Sequence, residues 1–145
     1  MMPYKNVFLI DDDDDDQDLF CSAVGELSKA IVCTPFSNGL LALAALKNMI
    51  PDVIFLDWNM PVMNGEEFLT AIKKDRDLTH IPVIVISTTA HPETMFQSQQ
   101  LGARAFITKP NKYSDLILLL KPFICMDQTL SKTITDSGAT YNRLP

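Results

Sequence analysis

Five short runs of apolar residues alternate along the chain with stretches in which apolar residues recur every three or four positions. The continuous runs predict strands buried on both faces, at residues 7–10, 31–36, 53–56, 83–86 and 105–107. The intervening spacing predicts helices at residues 14–28, 40–49, 66–74 and 92–102, with a fifth beginning at residue 115. This alternation is typical of a parallel sheet with helices on both faces.

Proline, glycine and serine mark where several of these helices begin and end. Pro51 closes the second helix, whereas Pro92 fits the first turn of the fourth, where a proline loses no hydrogen bond. Gly102 can adopt the left-handed conformation that ends a helix. Ser114 is predicted to cap the fifth helix, and Pro122 to kink or stop it.

The pattern as a whole predicts one α/β domain with a doubly wound, five-stranded parallel sheet. We expect this domain to occupy residues 1–126. Residues 127–145 are polar and aperiodic, so we expect a poorly ordered tail there. Ligands of open parallel sheets bind beyond the carboxyl ends of the strands, which directs attention to the residues that follow each strand.

Polar residues follow four of the five predicted strands. Asp11 and Asp12 come directly after the first strand, and Asp57 comes after the third. Ser87 follows the fourth strand and Lys109 follows the fifth. Because parallel strands present their carboxyl ends at one edge of the sheet, these five side chains are expected to meet.

Three clustered carboxylates repel one another unless a cation compensates for their charge. Mg²⁺ suits such a cluster, since it takes one or two carboxylates, keeps several waters and accepts phosphate oxygens. A carboxylate can also attack phosphorus to form an aspartyl phosphate, while an ammonium and a hydroxyl group stabilise charge on the phosphoryl oxygens. The strand ends therefore predict Mg²⁺-assisted phosphoryl transfer.

The composition and net charge of the chain indicate which partners and which cellular compartment to expect. The 145-residue chain is 47% hydrophobic and 21% charged, which is ordinary for a globular protein. Its net charge of -6 argues against nucleic acid as a partner, because phosphate backbones need a basic surface. Without a recognisable signal peptide or an apolar span, we expect a cytoplasmic protein with no membrane contact. The three cysteines are then interpreted as reduced thiols.

The motifs at the strand ends resemble those of the response-regulator receiver family. The resemblance covers residues 5–126 and rests on four elements in the right order, namely Asp11–Asp12, residues 55–65, the Ser87–Thr88 pair and residues 108–110. It implies a flavodoxin-like fold with strand order 2-1-3-4-5. It also implies a two-component phosphoprotein rather than an enzyme with its own substrate.

The resemblance assigns a role to each matching position. Asp57 would accept the phosphoryl group, and Lys109 would pair with that group. Asp12 would bind Mg²⁺ directly, Asp11 largely through water, and Asn59 through its backbone carbonyl.

Further positions would carry the response to phosphorylation. Ser87 would hydrogen-bond the phosphoryl group, and Phe106 stands where the family keeps an aromatic switch residue. Asn59 and Thr89 would flank the path of the hydrolytic water and so tune the rate of dephosphorylation. The Lys109–Pro110 bond resembles the family's cis peptide.

The resemblance also implies partners. A sensor histidine kinase or a histidine phosphotransfer protein would supply the phosphoryl group. With only residues 127–145 beyond the domain, we expect a single-domain regulator that signals to an output protein through direct contact. The face formed by the fourth helix, fifth strand and fifth helix would serve for docking or for a homodimer.

Two other functions remain open from the residues alone. A haloacid-dehalogenase-type phosphatase also uses a strand-end aspartate and Mg²⁺, but its motif would place Asp15 where threonine or valine is required and would leave Asp57 unexplained. A receiver fold could also serve as a docking module without phosphorylation.

Two further features are given structural interpretations. Residues 13–16 are interpreted as a solvated acidic helix start, and Trp58 as a lid or partner contact.

Overall fold

The computed structural model describes residues 4–125, 132–134 and 140–143, the last two ranges by their backbone alone. Five parallel strands form the body of the sheet in the order β2-β1-β3-β4-β5. Their bounds are β1 Asn6–Ile10, β2 Val32–Phe36, β3 Val53–Asp57, β4 Val83–Ser87 and β5 Ala105–Thr108. The predicted fold class, strand positions and strand order are confirmed.

Five helices connect and follow these strands. Their bounds are α1 Asp14–Leu27, α2 Gly39–Ala45, α3 Gly65–Lys74, α4 Pro92–Gln100 and α5 Tyr113–Ile124. Within the described ranges, the structure contains no helix that is long and apolar enough to cross a bilayer.

Helices α1 and α3, which follow the strands that end in the acidic residues, begin at side-chain caps. Asp13 caps α1 by accepting a hydrogen bond from the backbone N–H of Asp16. Asn64 caps α3 in the same way, and Glu67 returns a bond to the backbone of Asn64. Such caps satisfy backbone donors that a helix leaves free at its first turn. They fix both helices directly after the loops that carry the acidic residues.

Three predictions about the helices differ from the structure. The predicted helix at residues 40–49 is shorter, because Lys47 and Asn48 donate to carbonyls only three residues back and so tighten into a turn after Ala45. Pro122 lies inside α5 and does not stop it. The proline removes one backbone donor near the end of the helix, where burial of neighbouring apolar side chains offsets the loss. Helix α5 also begins after Lys112 without a side-chain cap, so Ser114 is not its cap.

The sheet is covered by two apolar clusters, one on each face. One cluster packs α1 and α5 against the sheet and includes Phe20, Phe55 and Leu120. The other packs α2 and α3 and includes Phe8 and Phe68. Both faces of the central strands are thereby buried, which explains their continuous apolar runs.

Two short strands continue the sheet beyond β5. Strand β7, Thr140–Arg143, pairs antiparallel with β5, and β6, Lys132–Ile134, pairs antiparallel with β7. The remainder of the segment expected to be a poorly ordered tail, residues 127–131, 135–139 and 144–145, lies outside the described residues.

Candidate functional site

Three carboxylates meet at the carboxyl edge of the sheet, where the sequence predicted them. Asp57 is the last residue of β3, and Asp11 and Asp12 directly follow the adjacent strand β1. Carboxylate oxygens of all three lie within 4.8 Å of one another. Asp11 and Asp57 are buried, whereas Asp12 is exposed. One open and two enclosed carboxylates form a pocket of hard oxygen ligands suited to a divalent cation.

Burial controls the protonation of this acidic cluster. It raises the pKa of Asp57 to about 6, an increase that Lys109 opposes and Asp11 reinforces. Burial also raises the pKa of Asp11, against a backbone hydrogen bond from Asp13 and the pairing with Lys109. Burial thus disfavours the ionised form of both carboxylates. A bound divalent cation would favour that form.

Lys109 reaches into the same cluster from the loop after β5. Its Nζ atom lies 2.9 Å from Asp11 Oδ2, 3.0 Å from Asp16 Oδ2 and 3.4 Å from Asp57 Oδ2. Burial by itself would lower the pKa of Lys109, but the hydrogen bond to Asp11 and the charge of Asp57 raise it above its ordinary value. Lys109 is therefore a fixed cation held beside the Asp57 carboxylate.

The start of α1 contributes more to the site than the sequence indicated. Asp16 was interpreted as part of a solvated run, but its carboxylate pairs with Lys109 and is 42% exposed. The backbone N–H of Asp13 donates to Asp11 Oδ1 at 3.0 Å, and the Gln17 side chain donates to the Asp11 carbonyl at 2.6 Å. The signal available in the sequence was the cap at Asp13, which places Asp16 in the first helical turn, close to the strand edge.

Ser87 ends β4 beside the acidic cluster and is fully buried. Its carbonyl accepts a 2.7 Å hydrogen bond from the Lys109 backbone, and its Oγ accepts one of 3.3 Å from the Thr89 backbone. The first of these bonds joins the ends of β4 and β5. Thr89 and Asn59 are exposed, as expected for residues at the mouth of the site. The backbone N–H of Asn59 also bonds Asp57 and favours its ionised form.

Two aromatic residues near the site are buried. Phe106, the predicted switch residue, is 1% exposed and packs in the cluster beneath α2 and α3. Trp58 is 7% exposed and packs in the same cluster. A Cβ atom at Gly65 would lie 2.7 Å from the Trp58 ring, so glycine is required for this packing. Trp58 therefore packs in the core, and its interpretation as a lid or partner contact is wrong.

The loop from β3 to α3, which follows Asp57, contains a strained residue. Val62 has φ of 71°, a left-handed conformation that a β-branched side chain disfavours. The N–H of Met63 donates to the carbonyl of Pro61 at 2.8 Å, which closes a γ-turn around Val62.

The peptide bond between Lys109 and Pro110 is trans. The described chain contains no cis peptide, so the prediction of a cis bond here was wrong. The trans form is the lower-energy isomer even before proline.

Comparison with known proteins shows which protein family this chain is similar to. Residues 7–121 match the response regulator receiver domain. The chain is 40% identical to chemotaxis protein CheY-3 of Vibrio cholerae over 73 residues, which cover 50% of this chain and 56% of that protein. The match thus spans about half the length of that relative.

Solved structures extend the comparison over most of the chain. The phosphorylated cyanobacterial phytochrome response regulator RcpA superposes with a TM-score of 0.79 at 31% identity, covering 88% of this chain and 98% of that one. The Mn²⁺-bound form of response regulator Rcp1 superposes with a TM-score of 0.69 at 28% identity, covering 87% and 96%. The domain match, the strand order and the acidic edge agree, and the chain belongs to the response-regulator receiver family of two-component systems.

Proposed function

We propose that this protein accepts a phosphoryl group on Asp57 in a Mg²⁺-dependent reaction and then signals through protein contact. The donor would be a histidine kinase or a histidine phosphotransfer protein of the cytoplasm. The observation that carries the proposal is the buried Asp57 carboxylate, which has two further carboxylates within 4.8 Å and the Lys109 ammonium at 3.4 Å.

The chemistry of Asp57 follows from its surroundings. One carboxylate oxygen attacks phosphorus, the bond from phosphorus to the donor nitrogen breaks, and the histidine recovers its electron pair as the leaving group. The partly desolvated carboxylate is pre-positioned at the end of a rigid buried strand. Fixed positioning of this kind lowers the barrier by removing the cost of orienting the reactants.

The same residues would hold the metal ion. Asp11, Asp12, Asp57 and the backbone carbonyl of Asn59 offer oxygen ligands, which Mg²⁺ prefers. When bound, Mg²⁺ supplies positive charge to the phosphoryl oxygens during transfer. Burial raises the pKa of Asp57, and a bound cation would favour the ionised carboxylate that attacks phosphorus.

Lys109 would stabilise the phosphoryl group once it is attached. Its ammonium is shared among Asp11, Asp16 and Asp57, so it must redistribute its hydrogen bonds toward the incoming oxygens. Asp16 stays paired with the ammonium and limits how far Lys109 advances. We therefore assign Asp16 as a positioning residue for Lys109.

Phosphorylation would be transmitted through Ser87 and Phe106. The Ser87 hydroxyl would turn toward the phosphoryl oxygens and exchange its present contacts with Thr89 for new ones. Phe106 occupies a buried position next to β4 in the structure, so its rotation would be a shift between two packings of β5. The affected face is that of α4, β5 and α5. Strand β7 occupies the outer edge of β5, so contact with an output protein or a second copy would use the helices, where Phe96 on α4 and Leu118 on α5 are exposed apolar side chains.

The lifetime of the signal would be set at the mouth of the site. Asn59 and Thr89 are exposed, small and uncharged, so neither blocks water on its path to phosphorus. We expect spontaneous dephosphorylation within minutes rather than hours. Release of phosphate after removal of the donor measures this rate, and a half-life of many hours would contradict the assignment of these two positions.

Intact mass after incubation with acetyl phosphate and Mg²⁺ tests the proposal. We expect the gain of one phosphoryl group, its absence in Asp57→Asn, and normal labelling of the control Asp77→Asn, whose carboxylate is exposed and outside the site. Wild-type protein that gains no phosphoryl group from either acetyl phosphate or a phosphorylated kinase would favour a docking receiver. Steady turnover of the phosphate ester p-nitrophenyl phosphate would favour a phosphatase.

Beryllofluoride, a phosphoryl mimic, tests the transmission step. We expect amide exchange in residues 88–125 to change when beryllofluoride and Mg²⁺ are added. Unchanged exchange across this range would contradict the switch, even where phosphorylation of Asp57 has been demonstrated.

A further inference from the structure

Two cysteines face each other on the side of the domain formed by α1 and β2. Cys21 lies in the middle of α1 and Cys33 is the second residue of β2. Their Sγ atoms are 2.8 Å apart, and the Cys21 Sγ lies 4.0 Å from the Cys33 carbonyl. This Sγ–Sγ separation of 2.8 Å is shorter than ordinary contact between two sulfur atoms but longer than a disulfide bond of about 2.05 Å, so the two sulfurs are near each other without being bonded.

The surroundings allow a reagent to reach this pair. Both cysteines are partly exposed, and Cys33 also packs against the apolar cluster beneath α1 and α5. The helix and the strand that carry them are anchored independently, α1 against α5 and β2 on β1. The two sulfurs are therefore held together by rigid elements rather than by a mobile loop. The third cysteine, Cys125, is exposed at the end of α5.

The two thiols are not equivalent. The hydrogen bond with Cys33 lowers the pKa of Cys21, although burial acts in the opposite direction. The same hydrogen bond and burial raise the pKa of Cys33. Cys33 also packs against the apolar cluster beneath α1 and α5. Thiolates rather than thiols attack disulfides, so Cys21 is the thiol suited to react first and Cys33 the thiol suited to resolve the product.

We propose that Cys21 and Cys33 are a redox-active pair that closes to an intramolecular disulfide when it meets a low-molecular-weight disulfide such as oxidised glutathione. The Cys21 thiolate attacks one glutathione sulfur, and one glutathione thiolate leaves. Cys33 then loses its proton and attacks the Cys21 sulfur, and the second glutathione leaves. The two protein thiols are oxidised and one glutathione disulfide is reduced to two thiols. The inference is independent of phosphorylation at Asp57.

This pair changes the interpretation of the cysteines as inert thiols. In a reducing compartment the pair rests as two thiols, and disulfides that form there are transient and redox-sensing. Closing the bond ties α1, whose first turn carries Asp16, to the edge strand β2. It also constrains the unfolded chain between residues 21 and 33, and this constraint should raise Tm by roughly 5–10 °C.

Intact mass and peptide mapping after treatment with oxidised glutathione test the proposal. The background is Cys125→Ser, which removes the exposed third thiol. We expect the loss of two hydrogens, a peptide linked between Cys21 and Cys33, complete reversal by a thiol reductant, and the predicted rise in Tm. Two alkylatable thiols after oxidation, or a mixed disulfide that persists at Cys21, would overturn the pairing.

Single variants in that background test the order of attack. Cys33→Ser should trap glutathione at Cys21, whereas Cys21→Ser should react at least tenfold more slowly at neutral pH. Equal rates for the two variants would overturn the assignment of Cys21 as the attacking thiol. Circular dichroism establishes that each variant is folded, and the cross-link in the protein that retains both cysteines is decisive in either case.

Discussion

Replacing Asp57 with asparagine should stabilise the metal-free protein at neutral pH. Burial raises the pKa of Asp57 from the ordinary 3.8 to about 6. The folded protein then holds this proton more tightly than the unfolded chain does. The contribution of Asp57 to stability is therefore fully present below about pH 4 and is lost as the pH rises through 6. An asparagine stays neutral, and its contribution does not depend on pH.

The size of the effect follows from the pKa. A difference of about two pKa units between the folded and unfolded states corresponds to about 3 kcal/mol of stability, since each pKa unit is about 1.36 kcal/mol. The side chain keeps 9% exposure, and solvent screening and coupled titration with Asp11 reduce the effect. We expect the free energy of unfolding of Asp57→Asn, relative to wild type, to increase by about 1–3 kcal/mol between pH 4 and pH 8.

Urea denaturation without Mg²⁺ at a series of pH values measures this difference. The single tryptophan, Trp58, is buried beside Asp57 and reports unfolding through its fluorescence. Asp77→Asn serves as the matched control, because it removes an exposed carboxylate and should follow wild type at every pH. A constant difference between Asp57→Asn and wild type from pH 4 to pH 8 would refute the claim that burial dominates the site.

Three further outcomes are expected. Millimolar Mg²⁺ should stabilise wild type by roughly 1–3 kcal/mol in thermal unfolding. Asp12→Ala should remove this gain and Asp14→Ala should keep it, and equal losses in the two variants would mean that the metal ligands are misassigned within the acidic run. Asp16→Asn should change the rate of phosphorylation by acetyl phosphate several-fold while leaving Mg²⁺ affinity intact, and an unchanged rate would remove its positioning role. Val62→Asn should raise the free energy of unfolding by about 0.5–1 kcal/mol, since asparagine tolerates the left-handed conformation and Val62 is 73% exposed. A lower urea midpoint for the variant than for wild type would contradict the claim that Val62 is strained.

The sequence predicted the strands and the acidic site because local pattern and topology constrain both. A strand buried on two faces must be apolar along its length, so β1, β3 and β4 were visible as continuous runs. Parallel strands present their last residues at one edge of the sheet. The sequence alone therefore predicts that Asp11, Asp57 and Lys109 lie close together, as they do in the structure. The family resemblance added the role of each position.

The tertiary structure decided what depends on distances between remote parts of the chain. Asp16 joins the site because the first turn of α1 meets a lysine that follows β5, and no periodicity within residues 13–16 indicates that pairing. Burial of Trp58 depends on how closely Gly65 approaches its ring. The contact of Cys21 with Cys33 depends on the packing of α1 against β2. Sequence pattern determines which face of an element is buried, whereas the partner of each side chain is determined only when the elements pack.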